Sequence, residues 1–245
     1  EPYYKRMGSS QGQWVVAAVP GKEWAKQVFP EKSEAQAMES LWEAIFCAVR
    51  IQDGDAVQAW REHDALLCEK CEILNKYQFT ELHYENEAGT DFRVGLVKNH
   101  IWEGGSEESG SGVRFIANMP TEEVFTMPDY RKAEGKVVSS RPLSYRGNLI
   151  KDFSLTFHEG KVVDFDAREG YDALKQLLDT DEGSKSLGEV ALVPYASPIS
   201  EMGILFYNTL FDENASCHLA LGECYPTTVQ DGEKMNEEEL HQIGG

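Results

Sequence analysis

The sequence predicts an α+β protein, and three observations predict it. Between Ser33 and Lys76 apolar residues recur every three or four positions, the spacing of amphipathic helices. From Phe79 onward the period changes to two, as in half-buried strands. Gly- and Asn-containing turns punctuate the second part. The change of character places a boundary near Tyr77. Residues 1–77 read as the closing portion of an N-terminal α/β domain, and residues 78–245 as a β-rich domain.

In chain order, Trp14-Val15-Val16-Ala17-Ala18-Val19-Pro20 is a short apolar run stopped by proline, expected as a buried strand. Lys22 to Phe29 reads as helical. Ser33 and Gln36 form a capping box ahead of Leu41, Trp42, Ile45, Phe46 and Val49 at helical spacing. Asp53 or Asp55 starts a further helix carrying Val57, Trp60, Leu67, Cys71 and Leu74. Leu82-His83-Tyr84 and Phe92 to Leu96 alternate as strands around an Asn86 to Gly89 turn. Glu103 to Gly112, small and acidic, reads as a flexible surface loop, and Val113 to Asn118 resumes a strand. Phe153, Leu155 and Phe157, the Glu159-Gly160 turn, and Val162, Val163 and Phe165 make a hairpin. Tyr171, Leu174, Leu177 and Leu178 make an amphipathic helix stopped near Gly183. Glu189 to Val193 and Ile204 to Tyr207 are expected as short apolar strands, and Asp212 to Leu221 as a short helix ending at Gly222.

Composition narrows the function classes. The 245 residues suffice for one large domain or one and a half with a sizeable core. Lys+Arg 23 against Asp+Glu 42 give a formal charge of −19, which repels phosphate backbones and argues against nucleic acid or an anionic membrane as partner. Acidity keeps a protein soluble, and it also favours cationic ligands such as the amino end of a peptide, weakly, because salt screens exposed charge. No apolar run approaches the ~20 residues of a membrane span. Cys68-Glu69-Lys70-Cys71 lies inside a helical pattern with no second pair to complete a zinc knuckle, so its cysteines read as core residues. Reduced thiols fit a cytoplasmic location. Glu1 to Arg6 carry neither an initiator methionine nor a signal sequence, so the chain is expected to begin within a longer protein.

Acids within apolar stretches mark the candidate site. Burying an unpaired carboxylate costs several kcal/mol, so such a group is paired, protonated or metal-bound. Thr121-Glu122-Glu123-Val124-Phe125 places two acids in one apolar stretch, and Gly188-Glu189-Val190-Ala191-Leu192-Val193-Pro194 places one in another. Glu189 is either a ligand or an outward-facing strand residue; apolar Ala191 and Val193 on its alternation face favour a covered position. Glu122 and Glu123, being adjacent, point to opposite sides of an extended segment. Glu213 alone would be a turn residue, His218 a hydrogen-bonded core residue and Tyr225 a packing residue. Together, carboxylates and imidazole make an oxygen and nitrogen set suited to zinc, cobalt or manganese, and a tyrosine hydroxyl can donate to an oxyanion. The set points to a metallohydrolase. His63, His83, His100, His158 and His241 show no H-E-x-x-H pattern and read as surface or packing residues. Serine hydrolase, P-loop and Rossmann patterns are absent from the sequence.

At these residues the sequence resembles the thermophilic metalloaminopeptidase family that includes aminopeptidase T, aminopeptidase S and PepS. Five segments carry the resemblance: Gln13 to Pro20, Gly89 to Leu96, Met119 to Thr126, Leu187 to Pro194 and Phe206 to Gly222. It implies a cytoplasmic, homodimeric exopeptidase that takes peptides with a free N-terminus and uses two divalent metal ions. The implied ligands are Glu123, Glu189, Glu213 and His218, with Tyr225 as active-site tyrosine; Glu122, beside Glu123, is a separate candidate for binding the peptide amine or acting as base. It also implies a β-rich metallopeptidase catalytic domain after the α/β portion, and a closing His-x-Asp ligand segment beyond Gly245. His241, in His-Gln-Ile-Gly-Gly, lacks the paired aspartate. An inactive fragment serving folding or dimerisation, and a dimetal hydrolase of a non-peptide substrate, are the alternatives.

Overall fold

The computed structural model describes residues 12–51 and 54–245. The reading of Glu1 to Arg6 and the helix start at Asp53 lie outside the described residues. The first strands are β1 (Val16–Ala17), β2 (Glu81–Glu85), β3 (Asp91–Leu96), β4 (Ser106–Glu108), β5 (Arg114–Ile116) and β6 (Asn118–Met119). They are followed by β7 (Val124–Thr126), β8 (Pro128–Val138), β9 (Leu143–Tyr145), β10 (Asn148–His158), β11 (Lys161–Glu169), β12 (Leu187–Leu192) and β13 (His218–Leu221). The helices are α1 (Lys22–Val28), α2 (Glu34–Ala48), α3 (Ala56–Tyr77), α4 (Tyr171–Leu178), α5 (Pro198–Met202), α6 (Thr209–Asp212) and α7 (Glu237–Ile243). The mixture is α+β.

The described residues fall into two compact units. One takes in the chain up to Cys71 with Gly104–Val124 and Val193–Cys217; the other is Glu72–Glu103, Phe125–Leu192 and His218–Gly245.

In the first unit, α2 begins at a complete capping box in which Gln36 N donates to Ser33 Oγ and Ser33 N donates to Gln36 Oε1. Its apolar stripe, Ala37, Leu41, Ala44, Ile45 and Ala48, is buried with Ala25, Ile199, Phe206, Phe211 and Ala215. Burying a leucine such as Leu41 contributes about 1.5–3 kcal/mol. Asp55 caps α3, its Oδ1 accepting from Val57 N at 3.0 Å and Gln58 N at 3.2 Å.

Three expectations change here. The Trp14 to Pro20 run yields only β1, paired in parallel with β6. That sheet holds two strands among the described residues, too few to cover a face, so Val15, Val16 and Val19 are exposed. The Glu103 to Gly112 segment is not all loop: β4 pairs with β5, fastened by Asp64, which accepts from Ser106 N at 2.7 Å and Ser106 Oγ at 3.0 Å. Ile204 to Tyr207 forms no strand. Asp212 takes its backbone donors instead, accepting from Phe206 N at 2.7 Å and Asn208 N at 2.9 Å, and Phe206 stacks on Phe211.

The second unit is built on an antiparallel sheet of order β11-β10-β8-β3-β2, with β9 joined to β10. Period-two alternation puts Phe92, Val94, Ala133, Leu155 and Phe157 in its core. The β10–β11 turn has positive φ at Glu159 (48°) and Gly160 (80°), the primed turn that matches strand twist. Helix α4 packs on β10 and β11 through Leu174 and Leu178. A smaller cluster joins Val97, Met127, Val229 and Leu240. A second sheet, β13-β12-β7, carries the candidate site.

Candidate metal centre

Strand β12 is buried at Leu187, Val190 and Ala191, so it forms although a glutamate interrupts it. Its partner is β13, and here the predicted Asp212 to Leu221 helix is corrected. Helix α6 stops at Asp212, a 3-10 turn covers Glu213–Ala215, and His218–Leu221 is a strand. Pairing with β12 overrides the local pattern, because a four-residue apolar run is compatible with either state.

The register between these strands aims the site. Leu187 pairs with Leu221, but Glu189 pairs with Ala220 and Ala191 with His218. Gly188 is the extra residue, a β-bulge. In uninterrupted antiparallel pairing Glu189 would oppose Leu219, and its side chain would share the face of Leu219 and Leu221. The one-residue slip turns it to the other face, where His218 is its diagonal neighbour. Glycine is required at the bulge: a Cβ on Gly188 would lie 2.1 Å from Glu223 O and 2.4 Å from Gly222 O.

The resulting pair sets His218 Nε2 3.8 Å from Glu189 Oε1, with side chains 19% and 15% exposed. That separation exceeds a hydrogen bond. It suits two donors sharing one ion, since ligand atoms ~2.0–2.2 Å from zinc stand ~3–4 Å apart. A neutral imidazole and a carboxylate fit zinc, cobalt and manganese alike.

The other predicted residues are placed as follows. Glu123, buried, immediately precedes β7. Glu213 is half-buried at the start of its 3-10 turn. Tyr225 is exposed, with its ring centroid 5.7 Å from that of Phe125. Its carbonyl accepts from Thr228 N at 3.0 Å and from Thr228 Oγ1 at 2.6 Å, which fixes the turn that presents it. Glu122 is buried at 2% exposure, and both its oxygens accept from Arg50, Oε2 at 2.8 Å from Nη2. Glu122, Glu123 and Glu213 belong to the first unit, and Glu189, His218 and Tyr225 to the second. The pair brought together by backbone register is Glu189 and His218.

Three side chains not expected from the sequence surround Glu122. Arg50 supplies its cation, His63 Nε2 lies 2.7 Å from Thr121 O, and Asn214 Oδ1 accepts from Glu122 N at 2.6 Å. Burial pushes the His63 imidazole below its ordinary value, against the Thr121 carbonyl and the Glu122 charge. A polar residue after a helix end was the available signal for Arg50; nothing local distinguishes Asn214.

The remaining histidines have structural surroundings. His100 Nδ1 donates to Val97 O at 3.0 Å, and burial lowers its pKa. His241 stacks on Tyr130 and meets its hydroxyl at 2.9 Å. Cys68 and Cys71 lie on α3, the latter buried. His83, Glu85 and Asp91 bring ligand atoms within 4.8 Å of one another, but on the exposed β2–β3 hairpin.

The whole chain, residues 1–245, matches the profile of the thermophilic metalloprotease (M29) family. The chain belongs to the M29 thermophilic metalloproteases. It is 49% identical over 242 residues to "Aminopeptidase 2" of Geobacillus stearothermophilus, covering 99% of this chain and 58% of that protein. Over 242 residues it is 50% identical to "Aminopeptidase AmpS" of Bacillus subtilis, covering 99% and 59%. Among solved structures, wild-type AmpT from Thermus thermophilus superposes with a TM-score of 0.91 at 40% identity, covering 100% of this chain and 58% of that one. The chain therefore spans a little under three-fifths of the length of these M29 relatives. M29 membership implies divalent metal ions, for which Glu189 and His218 supply suitable donors. Among the described residues no helix is long and apolar enough to cross a membrane.

Proposed function

We propose that the protein is a metal-dependent aminopeptidase that removes N-terminal amino acids from peptides. The observation that carries the proposal is the Glu189–His218 pair, set at ligand spacing by the Gly188 bulge in an M29 chain. Its relatives in Geobacillus, Bacillus and Thermus bear aminopeptidase names. Glu123, Glu189, Glu213 and His218 are the proposed ligands of two divalent ions, zinc, cobalt or manganese. Bound there, the ions would activate a water and polarise the scissile carbonyl.

The protein's own groups supply the rest. Tyr225 donates its hydroxyl to the oxyanion of the tetrahedral species, oriented by Phe125 and the Thr228-capped turn. The acidic chain attracts the peptide's ammonium end. Glu122 is the candidate for holding that amine or serving as base, for which its carboxylate would have to leave the Arg50 guanidinium that both its oxygens accept from. A homodimer in the cytoplasm completes the reading.

The test is hydrolysis of amino-acid amides and of phosphate esters by the protein with zinc or cobalt, before and after exhaustive chelation. Amide cleavage that is lost on chelation and restored by metal is expected. Activity unchanged by chelation, or confined to phosphate esters, overturns the reading.

A further inference from the structure

We propose that Arg50, Glu122 and Asn214 are positioning residues that fix the two candidate ligands beside them, Glu123 and Glu213; this rests on the metallopeptidase reading above. The first sign is a strained backbone. Arg50 follows the C-cap of α2 with φ 55°. Arg50 N donates to Cys47 O at 3.1 Å and Ile51 N to Phe46 O at 3.0 Å, the helix-ending motif whose left-handed position normally belongs to glycine. Arginine there is disfavoured, so the reason for it lies in its side chain.

That side chain reaches Glu122, 72 residues away, and grips both carboxylate oxygens through its planar fork. A buried ion pair is weak evidence for added stability, since desolvation offsets much of the attraction. A role in geometry explains it better. Three contacts pin the backbone just ahead of Glu123. His63 Nε2 holds Thr121 O, Asn214 Oδ1 holds Glu122 N, and Arg50 holds the Glu122 carboxylate.

Asn214 is itself fixed. At 1% exposure it donates from Nδ2 to Leu210 O at 2.9 Å, while its carbonyl accepts from Ser197 Oγ at 3.1 Å. Since Asn214 follows Glu213 and Glu122 precedes Glu123, one hydrogen bond of 2.6 Å ties the two ligand-bearing segments together. Groups of this kind orient ligands without touching the ion, and losing one weakens metal binding by about 10–100-fold.

The experiment is a zinc titration of the intact protein against a chromogenic chelator, comparing wild type with Glu122→Gln, Asn214→Ala, and Glu122→Gln combined with Arg50→Gln. Circular dichroism of each metal-free form and the kcat and KM for an amino-acid amide are recorded alongside. The single variants should keep a folded spectrum and bind zinc about 10–100-fold more weakly. The double variant lacks the same grip, so its zinc affinity should stay as low as that of Glu122→Gln; recovery to the wild-type value would assign the loss to the uncompensated Arg50 charge and overturn the positioning role. Zinc affinity unchanged in folded Glu122→Gln overturns the inference, and a lower kcat in that case assigns Glu122 as the base. If Glu122→Gln does not fold, Asn214→Ala and Arg50→Lys decide by the same criterion. Wild type that binds no zinc sinks the metallopeptidase reading itself.

Discussion

Replacing Gly188 with alanine should dismantle the alignment that creates the Glu189–His218 pair. The added Cβ would stand 2.1 Å from Glu223 O, 2.4 Å from Gly222 O and 2.5 Å from Glu223 C, all backbone atoms. Ordinary contact begins at 3.4 Å, so β12 and the segment after β13 must part by about 1.3 Å. Overpacking of this kind costs about 1–3 kcal/mol, and rigid backbone places this site at the upper end. At about 2–4 °C per kcal/mol, thermal unfolding of the variant should come ~6–12 °C early. A displacement near 1 Å at a ligand also costs about 10²-fold in catalysis, so amide hydrolysis should fall by that order and zinc affinity with it. Circular dichroism melts, zinc titration and amide hydrolysis measure these effects. Gly183→Ala is the control: its nearest neighbour is Asp181 Oδ1 at 3.5 Å, and its unfolding should change by no more than about 0.5 kcal/mol. Gly188→Ala melting with wild type and retaining zinc affinity would refute the bulge argument.

Other outcomes follow from burial and capping. Leu41→Ala in the first unit's core should destabilise it by about 2–5 kcal/mol, read from the urea midpoint. Asn236→Ala should cost about 1 kcal/mol, because Asn236 Oδ1 accepts from Glu239 N and Glu239 Oε2 accepts from Asn236 N at the start of α7. Burial lowers the folded-state pKa of His100, so the unfolded chain takes up its proton first as pH falls. Its contribution is present above the ordinary histidine value of ~6.5 and is lost as pH falls through that value toward the folded one. Urea unfolding of the metal-free protein should therefore show stability falling below pH ~6.5, with a smaller fall in His100→Asn; equal falls in both would contradict this.

Where local chemistry decides, the sequence was legible. The Ser33–Gln36 capping box, the Glu159-Gly160 turn and the α4 stripe all form as their residues require. Where partners distant in sequence decide, it was not. His218–Leu221 is a strand because β12 is available to pair with it, and Ile204 to Tyr207 is not a strand because Asp212 takes its donors. The acidic Glu103 to Gly112 segment becomes half of a hairpin because Asp64, on α3, holds Ser106. For the site, an acid within an apolar run pointed to Glu189, and alternation grouped it with Ala191 and Val193, both buried, but not with His218. The bulge at Gly188 reverses the face, and only the pairing register reveals a bulge. Arg50 and Asn214 were invisible because each acts on Glu122 across 72 and 92 residues of chain.

The central claim, that Glu189 and His218 are metal ligands, is tested most directly by anomalous diffraction at the zinc edge from crystals of the zinc-loaded protein. An anomalous peak ~2.0–2.2 Å from both Glu189 Oε1 and His218 Nε2 is expected. A peak at the His83–Asp91 hairpin alone, or none within ~4 Å of Glu189, would contradict it.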